Sequence, residues 1–263
     1  MNGILWALLG TLFTFSVTTL GALNVYWVRG KITERVQCVF LGFAGGVMVA
    51  ASVWSLLLPA IERAEMLNQT GWLVTTTGFL LGVVSLLAAD ALFRKHYMRR
   101  LAGGGISSLK QRTLMMIVAI TIHNIPEGMA VGLAFAMAAS DMGNPALFSG
   151  AVALAVGIGI QNYPEGTAVA LPLHSDGMSK KKAALYGSMS AAVEPVFGVF
   201  AAVLSTVVTP LMPLLLSYAA GTMIYVVIQE LMPEAHLGEG DKTASLSFVA
   251  GFLVMMILDV SLG

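Results

Sequence analysis

A short polar segment occurs twice within long apolar stretches of the chain. The two copies read His123-Asn124-Ile125-Pro126-Glu127-Gly128 and Gln161-Asn162-Tyr163-Pro164-Glu165-Gly166. Residues four apart share one face of a helix, so each copy sets its glutamate beside His123 or Gln161, with the asparagine next to them. Imidazole, carboxylate and amide oxygen make a mixed N/O ligand set that suits Zn²⁺, Fe²⁺, Mn²⁺ or Cd²⁺. The repeat predicts a metal-binding core built from two crossing helices.

The proline in each copy adds further acceptors to this core. Pro126 and Pro164 cannot donate to the carbonyl four residues back, at Ile122 and Ile160. In lipid, such a freed carbonyl needs a partner from within the protein or its ligands. A bound cation or a water molecule would supply it.

A third carboxylate is expected at the same depth. Glu194 precedes Pro195 near the middle of a third apolar stretch, and no Lys or Arg is expected at the level of Glu127, Glu165 and Glu194. Three buried anions without a counter-charge require either protonation or a divalent ion. This is the main physical reason to expect a metal, whose binding would release protons and depend on pH.

These residues must be positioned by membrane-spanning helices. The chain is 57% hydrophobic and only 11% charged, with a mean hydropathy of +0.83, whereas a soluble domain carries about a quarter charged residues. A span needs about 20 apolar residues. We therefore predict an all-α integral membrane protein, a single transmembrane domain over residues 1–263. Its eight transmembrane helices are placed at roughly 4–28, 37–61, 71–93, 112–138, 147–173, 181–208, 210–233 and 244–262.

The basic residues define an orientation. Every Lys and Arg except Arg63 falls in the first, third, fifth or seventh connection. The positive-inside rule then places both termini on the extracytoplasmic side. The third connection, at about 94–111, contains Gly103-Gly104-Gly105 and is predicted to be a flexible cytoplasmic loop. The first apolar run has no basic start, so we expect a retained span rather than a cleaved signal peptide.

A second polar cluster lies at the predicted cytoplasmic ends of the third and seventh spans. It comprises Asp90, Glu230, Glu234 and His236. Such a rim could accept a metal ion on exit, and the alternative of an ordinary solvated helix end stays open. Cys38 is the only cysteine, which excludes an intrachain disulfide and a thiolate metal cluster.

Simpler interpretations of the motif residues remain open. A buried glutamate can be protonated and hydrogen-bonded, and Pro/Gly pairs can serve helix packing. Gln161 fits a ligand or a packing residue equally well. Met48, one of 16 methionines, is a core residue on composition alone.

At these motifs the chain resembles the ZIP (Zrt/Irt-like) family of divalent metal transporters, most closely its bacterial GufA-like branch. The resemblance rests on both repeat segments, Glu194, the segment Leu231-Met232-Pro233-Glu234-Ala235-His236 and the eight-span layout. It implies a 3+2+3 arrangement, with the first and last three spans forming an inverted repeat around the fourth and fifth.

The resemblance also implies a binuclear metal site. One ion would be held by Met48, His123, Glu127, Gln161 and Glu165, and the other by Asn124, Glu127, Asn162, Glu165 and Glu194. Family members often carry His or Asp at the positions of Gln161 and Asn162. Neutral amides bind metal more weakly, so the second site is expected to be weak or transient.

The function expected from this resemblance is transport of Zn²⁺ and related divalent ions into the cytoplasm by alternating access, with a sliding transport unit. Zn²⁺, Cd²⁺, Fe²⁺ or Mn²⁺ is the bound substrate, no cofactor is required and the protein is not an enzyme. The alternatives are a di-metal intramembrane hydrolase and a proton- or sodium-coupled solute carrier. The expected partners are the ion and the lipid of a bacterial inner membrane, without nucleic acid, and a homodimer is left open.

Overall fold

The computed structural model describes residues 2–27, 33–102, 108–175, 177–207, 209–235 and 242–262. All secondary structure in these ranges is helical, as the sequence predicts. Seven of the described helices are long and apolar enough to cross a bilayer. The chain is therefore an all-α, multi-pass membrane protein.

The first four long helices run as follows. Helix α1 is Asn2–Ala22, which a 3₁₀ turn at Leu23–Tyr26 continues, and α2 covers 34–66 as Glu34–Ala51, Ser52–Leu57 and Leu58–Met66. Helix α3 is Gly71–Ala102, and α4 is Ser108–Ser140.

The remaining long helices complete the described chain. Helix α5 is Pro145–Ser175, and α6 covers 180–207 as Lys180–Met189 and Val193–Val207. After a 3₁₀ turn at Thr209–Leu211, α7 covers 212–234 as Met212–Val226, Val227–Leu231 and Met232–Glu234. Helix α8 is Lys242–Leu262.

The predicted loop over residues 94–111 is wrong in extent. Helix α3 continues to Ala102, and α4 already begins at Ser108. The added stretch is rich in Arg, Lys, Leu, Met and Ala, which favour helix. A helix can therefore continue past the apolar part of a span. Residues 103–107, including the three glycines, lie outside the described residues.

Helices α2 and α7 are interrupted in the same way. Each contains a π-helical segment, Ser52–Leu57 in α2 and Val227–Leu231 in α7, and a proline follows after one intervening residue, at Pro59 and Pro233. A proline cannot donate to the carbonyl four residues back and clashes with it, so the preceding turn widens into a π segment. The π segment of α2 packs on α7, and that of α7 packs on α2.

Helices α2 and α8 cross so closely that their backbones are in contact. A β carbon added at Gly46 would lie 1.9 Å from the carbonyl oxygen of Phe248, and one added at Gly251 would lie 2.1 Å from that of Phe43. Both glycines therefore have no room for a side chain. Small residues at such crossings let membrane helices gain dispersion contacts that lipid cannot offer.

Helices α3 and α7 repeat this contact. A β carbon at Gly82 would lie 2.3 Å from the carbonyl oxygen of Tyr218, and one at Gly221 would lie 2.2 Å from that of Phe79. In all four helices an aromatic residue precedes the glycine by three positions, and each glycine faces the aromatic residue's carbonyl on the partner. The same reciprocal contact, in which each glycine faces a backbone carbonyl of the other helix, thus occurs in both helix pairs.

The other four helices form a second group. Helix α1 packs on α5, α4 packs on α6, and α1 also contacts α4 and α6. The second group meets the first where α5 lies against α2 and α8, and where α4 lies against α7. At Gly157 of α5, the neighbouring atoms belong to the flexible side chain of Met255 in α8. We call α2, α3, α7 and α8 the outer bundle and α1, α4, α5 and α6 the site bundle.

The Gly46 crossing can be tested against its neighbour. Gly46→Ala should destabilise the protein by about 1–3 kcal/mol, because the added carbon would push α2 and α8 apart. Gly45→Ala is the matched control, since its β carbon would meet only Phe248 ring atoms at 3.3 and 3.4 Å and Val227 at 3.6 Å. Thermal unfolding in detergent measures both. Equal melting temperatures for the two variants would contradict the backbone contact.

Candidate metal centre

The polar residues of the repeat meet inside the site bundle. Glu127, Gln161, Asn162 and Glu194 have no exposed surface, and 1% of Asn124 and 5% of Glu165 are exposed. Glu127 lies close enough to Glu165 and Glu194 for the three carboxylates to repel one another. A concentration of negative charge in an apolar bundle needs compensation from neighbouring donors or from a cation.

Amide groups of the second copy supply part of that compensation. The Gln161 Nε2 donates to Glu127 Oε1 at 2.5 Å, and the Asn162 Nδ2 donates to Glu194 Oε1 at 2.9 Å. One motif copy on α5 therefore reaches both the other copy on α4 and the acidic residue of α6. The amides, which a metal would bind only weakly, have a structural role in holding the acids.

A break in α6 orients the third amide. Glu194 N–H bonds to the carbonyl of Ala191, and Pro195 has no N–H to donate. The carbonyl of Ser190 accepts instead from Asn124 Nδ2 at 3.0 Å. Because the Glu194 N–H bonds three residues back, to Ala191, the Ser190 carbonyl lacks its helical donor and is available to fix Asn124, on a different helix.

These hydrogen bonds leave three amide oxygens without donors. Asn124 Oδ1, Gln161 Oε1 and Asn162 Oδ1 are buried and accept no hydrogen bond from any described residue. Their nitrogens already donate to acceptors, so exchanging oxygen and nitrogen would place oxygen against oxygen. Buried polar atoms are rarely left unsatisfied. Three oxygens of this kind beside carboxylates form an environment for a cation.

The glycine that ends each copy has a definite role. A β carbon at Gly128 would lie 2.4 Å from the carbonyl oxygen of Glu194, and one at Gly166 would lie 2.0 Å from that of Thr18. Helix α6 therefore crosses α4, and α1 crosses α5, directly at the motif. The Pro-Glu-Gly sequence places an acid one residue before the point where a second helix touches its backbone.

The remaining sequence-predicted residues are placed as follows. Met48 is fully buried in α2, and its carbonyl accepts from Ser52 Oγ at 2.7 Å. His123 lies in α4, Asp90 in α3, and Glu230 and Glu234 in α7, but their side chains lie outside the described part of the structure. His236 lies outside the described residues altogether. The roles of these residues stay predictions.

Among the described side chains, no three His, Cys, Asp or Glu groups are spaced to hold an ion by themselves. The oxygen-rich cluster combines amides with acids. Metals with a preference for oxygen and nitrogen ligands accept both.

Sequence reasoning missed two participants, Thr14 and Ser190. The Thr14 Oγ1 donates to Glu194 Oε2, and the Thr14 carbonyl accepts from Asn162 Nδ2 at 3.5 Å. Thr11, Thr14 and Thr18 recur at helical spacing along α1 and are all buried. This row of hydroxyl residues on one face of the first span is the sequence pattern that could have indicated a contact with the site. Ser190 acts through its backbone, which no side-chain pattern indicates.

Comparison with known proteins gives one consistent result. The family model described as ZIP Zinc transporter matches residues 102–259, more than half of the chain. Zinc transporter ZIP11 of Xenopus tropicalis is 37% identical, with 99% of this chain and 98% of the relative covered. Zinc transporter GufA of Myxococcus xanthus is 33% identical, covering 97% and 98%. Zinc transporter ZIPB of Bordetella bronchiseptica is 36% identical, covering 98% and 82%.

The Gln161–Glu127 contact predicts an opposite response in the presence and absence of metal. Gln161→Glu should lower the melting temperature of the metal-free protein, because a carboxylate would replace the donor that faces Glu127. Zn²⁺ should then raise the melting temperature more than in the wild type, because the site gains an anionic ligand. Gln161→Leu is the control and should reduce the zinc-induced rise. A zinc response of Gln161→Glu no larger than that of Gln161→Leu would contradict this role.

Proposed function

Because the chain belongs to the ZIP family of zinc transporters, close to its GufA-like members, we propose that it carries Zn²⁺ and related divalent ions into the cytoplasm through a binuclear site. The observation that carries the proposal is the set of three buried amide oxygens that accept no hydrogen bond from the described residues and lie beside three carboxylates. Family membership makes this protein a transporter rather than an enzyme. Cd²⁺, Fe²⁺ and Mn²⁺ suit the same ligand types.

The proposed site holds two ions that share Glu127 and Glu165. The first ion would take Met48, His123 and Gln161 in addition. The second would take Asn124, Asn162 and Glu194. Two observations support this division. The Gln161 amide is bonded to Glu127, and the Asn162 amide is bonded to Glu194, so the two amide oxygens belong to different ends of the acidic cluster.

The proposed fold is a 3+2+3 inverted repeat. Helix α2 would correspond to α7, and α3 to α8. If α2 is replaced by α7 and α8 by α3, the reciprocal glycine contact between α2 and α8 becomes the one observed between α7 and α3. The π segments before Pro59 and Pro233 also correspond. Helices α1 and α6 each cross one motif copy, on α5 and α4, which extends the correspondence to the centre.

Alternating access would come from sliding of the site bundle against the outer bundle. Within each bundle, glycines bring two backbones together, and such contacts are hard to shift. Between the bundles, Gly157 meets the side chain of Met255, and a methionine side chain readily adopts other rotamers. Motion between the bundles would therefore break fewer rigid contacts than motion within them.

The proposed orientation places the ends of α1 and α6 that meet at Tyr26 and Lys180 in the cytoplasm. Lys180 Nζ donates to the Tyr26 carbonyl, which joins the start of α6 to the end of α1. Arg35 donates to Thr243, which joins the start of α2 to the start of α8. At the other ends, Arg63 donates to Ser140. Lys and Arg are concentrated near the helix ends that carry Lys180 and Arg35, as the positive-inside rule expects for the cytoplasmic side of a bacterial inner membrane.

An ion would move by exchanging ligands. It would leave its hydration shell for the amide and carboxylate oxygens of the centre, and Asp90, Glu230, Glu234 and His236 would receive it on the cytoplasmic side. Neutral amides hold metal less tightly than anions do, which favours release. Carboxylates must be deprotonated to bind, so the affinity should fall as the pH is lowered.

Uptake by proteoliposomes tests the proposal. Glu165→Ala and His123→Ala should each abolish Zn²⁺ uptake, because each removes a proposed ligand. Glu62→Ala is the control, since Glu62 is an exposed acid in α2. A panel of Zn²⁺, Cd²⁺, Fe²⁺ and Mn²⁺ at two pH values would give selectivity and proton dependence. Normal uptake by both ligand variants would contradict the proposal.

The orientation has its own test. A reporter fused after Gly263 should behave as extracytoplasmic, so alkaline phosphatase should be active there and green fluorescent protein dark. A fusion within residues 103–107 should give the reverse pattern. Fluorescence at the C-terminus would overturn the orientation without affecting the proposed metal site.

A further inference from the structure

We propose that Thr14 of α1 is a positioning residue for the second ion, acting through the carboxylate of Glu194. This inference rests on the proposed function, because it assigns a role within that transport site. Helix α1 would then take part in metal binding although it contributes no metal ligand. The bond between Thr14 and Glu194 joins two residues that both lie outside the repeated motif.

Thr14, Asn162 and Glu194 form a closed ring of hydrogen bonds across three helices. The Thr14 hydroxyl also lies 3.0 Å from the Thr11 carbonyl of its own helix, but its shorter contact is with Glu194 Oε2, to which it donates. The Asn162 amide donates to Glu194 Oε1 at 2.9 Å. The same amide lies 3.5 Å from the Thr14 carbonyl oxygen, which closes the ring. All three residues are fully buried. Each carboxylate oxygen of Glu194 is thus held by a donor from a different helix.

The ring leaves Glu194 able to bind an ion. A carboxylate offers about four lone-pair sites, so two hydrogen bonds leave others for a metal. With its nitrogen in the ring, Asn162 has an Oδ1 that no described group donates to. The ring therefore orients two proposed ligands of the second ion together. Partners of this kind fix the direction of a ligand, and losing one typically lowers metal affinity by roughly 10–100-fold.

Helix α1 is held firmly enough to serve this purpose. A β carbon at Gly21 would lie 2.0 Å from the carbonyl oxygen of Tyr163, and Gly166 is equally close to Thr18. Both contacts join α1 to α5 through backbone atoms. Since α1 and α5 are locked together, Thr14 and Asn162 keep a constant relation, and Glu194 of α6 is the member that they position.

Thr18 provides a matched control on the same helix. It is as deeply buried as Thr14, at 1% exposed, and its hydroxyl bonds to the Thr14 carbonyl within α1. Valine has nearly the shape of threonine and lacks only the hydroxyl. Thr14→Val and Thr18→Val therefore remove the same group from the same helix, and only the first removes a bond to Glu194.

The experiment is equilibrium Zn²⁺ binding to purified full-length protein in detergent, with chelator-buffered free zinc. Thr14→Val should raise the Kd of the second ion by roughly 10–100-fold and leave the first ion within about twofold. Thr14→Ser should restore the wild-type Kd, and Thr18→Val should resemble the wild type. In a Glu194→Gln background, Thr14→Val should have little further effect, because a residue that acts through Glu194 loses its target.

Several outcomes would overturn the inference. These are a Thr14→Val protein with wild-type binding, an equal loss for both ions, an effect that persists in the Glu194→Gln background, and a wild type that binds a single ion. If Thr14→Val does not fold, Thr14→Ala takes its place in the same series. Wild-type protein that neither binds nor transports zinc would instead overturn the proposed function, and this inference with it.

Discussion

The structure depends on keeping three carboxylates inside an apolar helical bundle. Glu127, Glu165 and Glu194 repel one another, and lipid offers them no solvation. Several hydrogen bonds around the acids reduce this cost. The amides of Gln161 and Asn162 donate to two of the acids, and the amide oxygens that remain face the site without donors. The groups that hold the carboxylates are therefore the same ones whose oxygens would bind a cation under the proposed function.

Glycine contacts hold the helices around this site at close range. The outer bundle is locked by reciprocal contacts between α2 and α8 and between α3 and α7, and the site bundle by the crossings at Gly128 and Gly166. All of these bring backbone against backbone. The contact at Gly157 involves only a methionine side chain. Under the proposed transport mechanism, rigid bundles with a compliant surface between them would preserve the ligand geometry during the motion that exposes the site to each side.

The sequence could predict the features that arise locally. Hydropathy indicates spans because lipid excludes charge, and a proline in a span frees a carbonyl wherever the chain goes. The family that the two motif copies indicated was confirmed by the comparisons. The helical extensions around residues 94–111 were missed because hydropathy marks where lipid ends rather than where a helix ends. Thr14 and Ser190 could not be inferred, because their roles come from contacts of α1 and α6 with distant helices. The sequence shows that Gly128 and Gly166 are present, but only the fold shows which backbone crosses them.

Under the proposed inverted repeat, the two crossings define positions that correspond between the halves. Glu194 touches Gly128, and Thr18 touches Gly166, so a carboxylate on α6 stands where a threonine stands on α1. Two copies of one helical crossing would make a centre that looks the same from either face of the membrane. This chain carries an acid at only one of them, which removes that equivalence. The centre is thereby asymmetric under the proposed repeat, with a carboxylate residue at the α6 crossing and a hydroxyl residue at the α1 crossing.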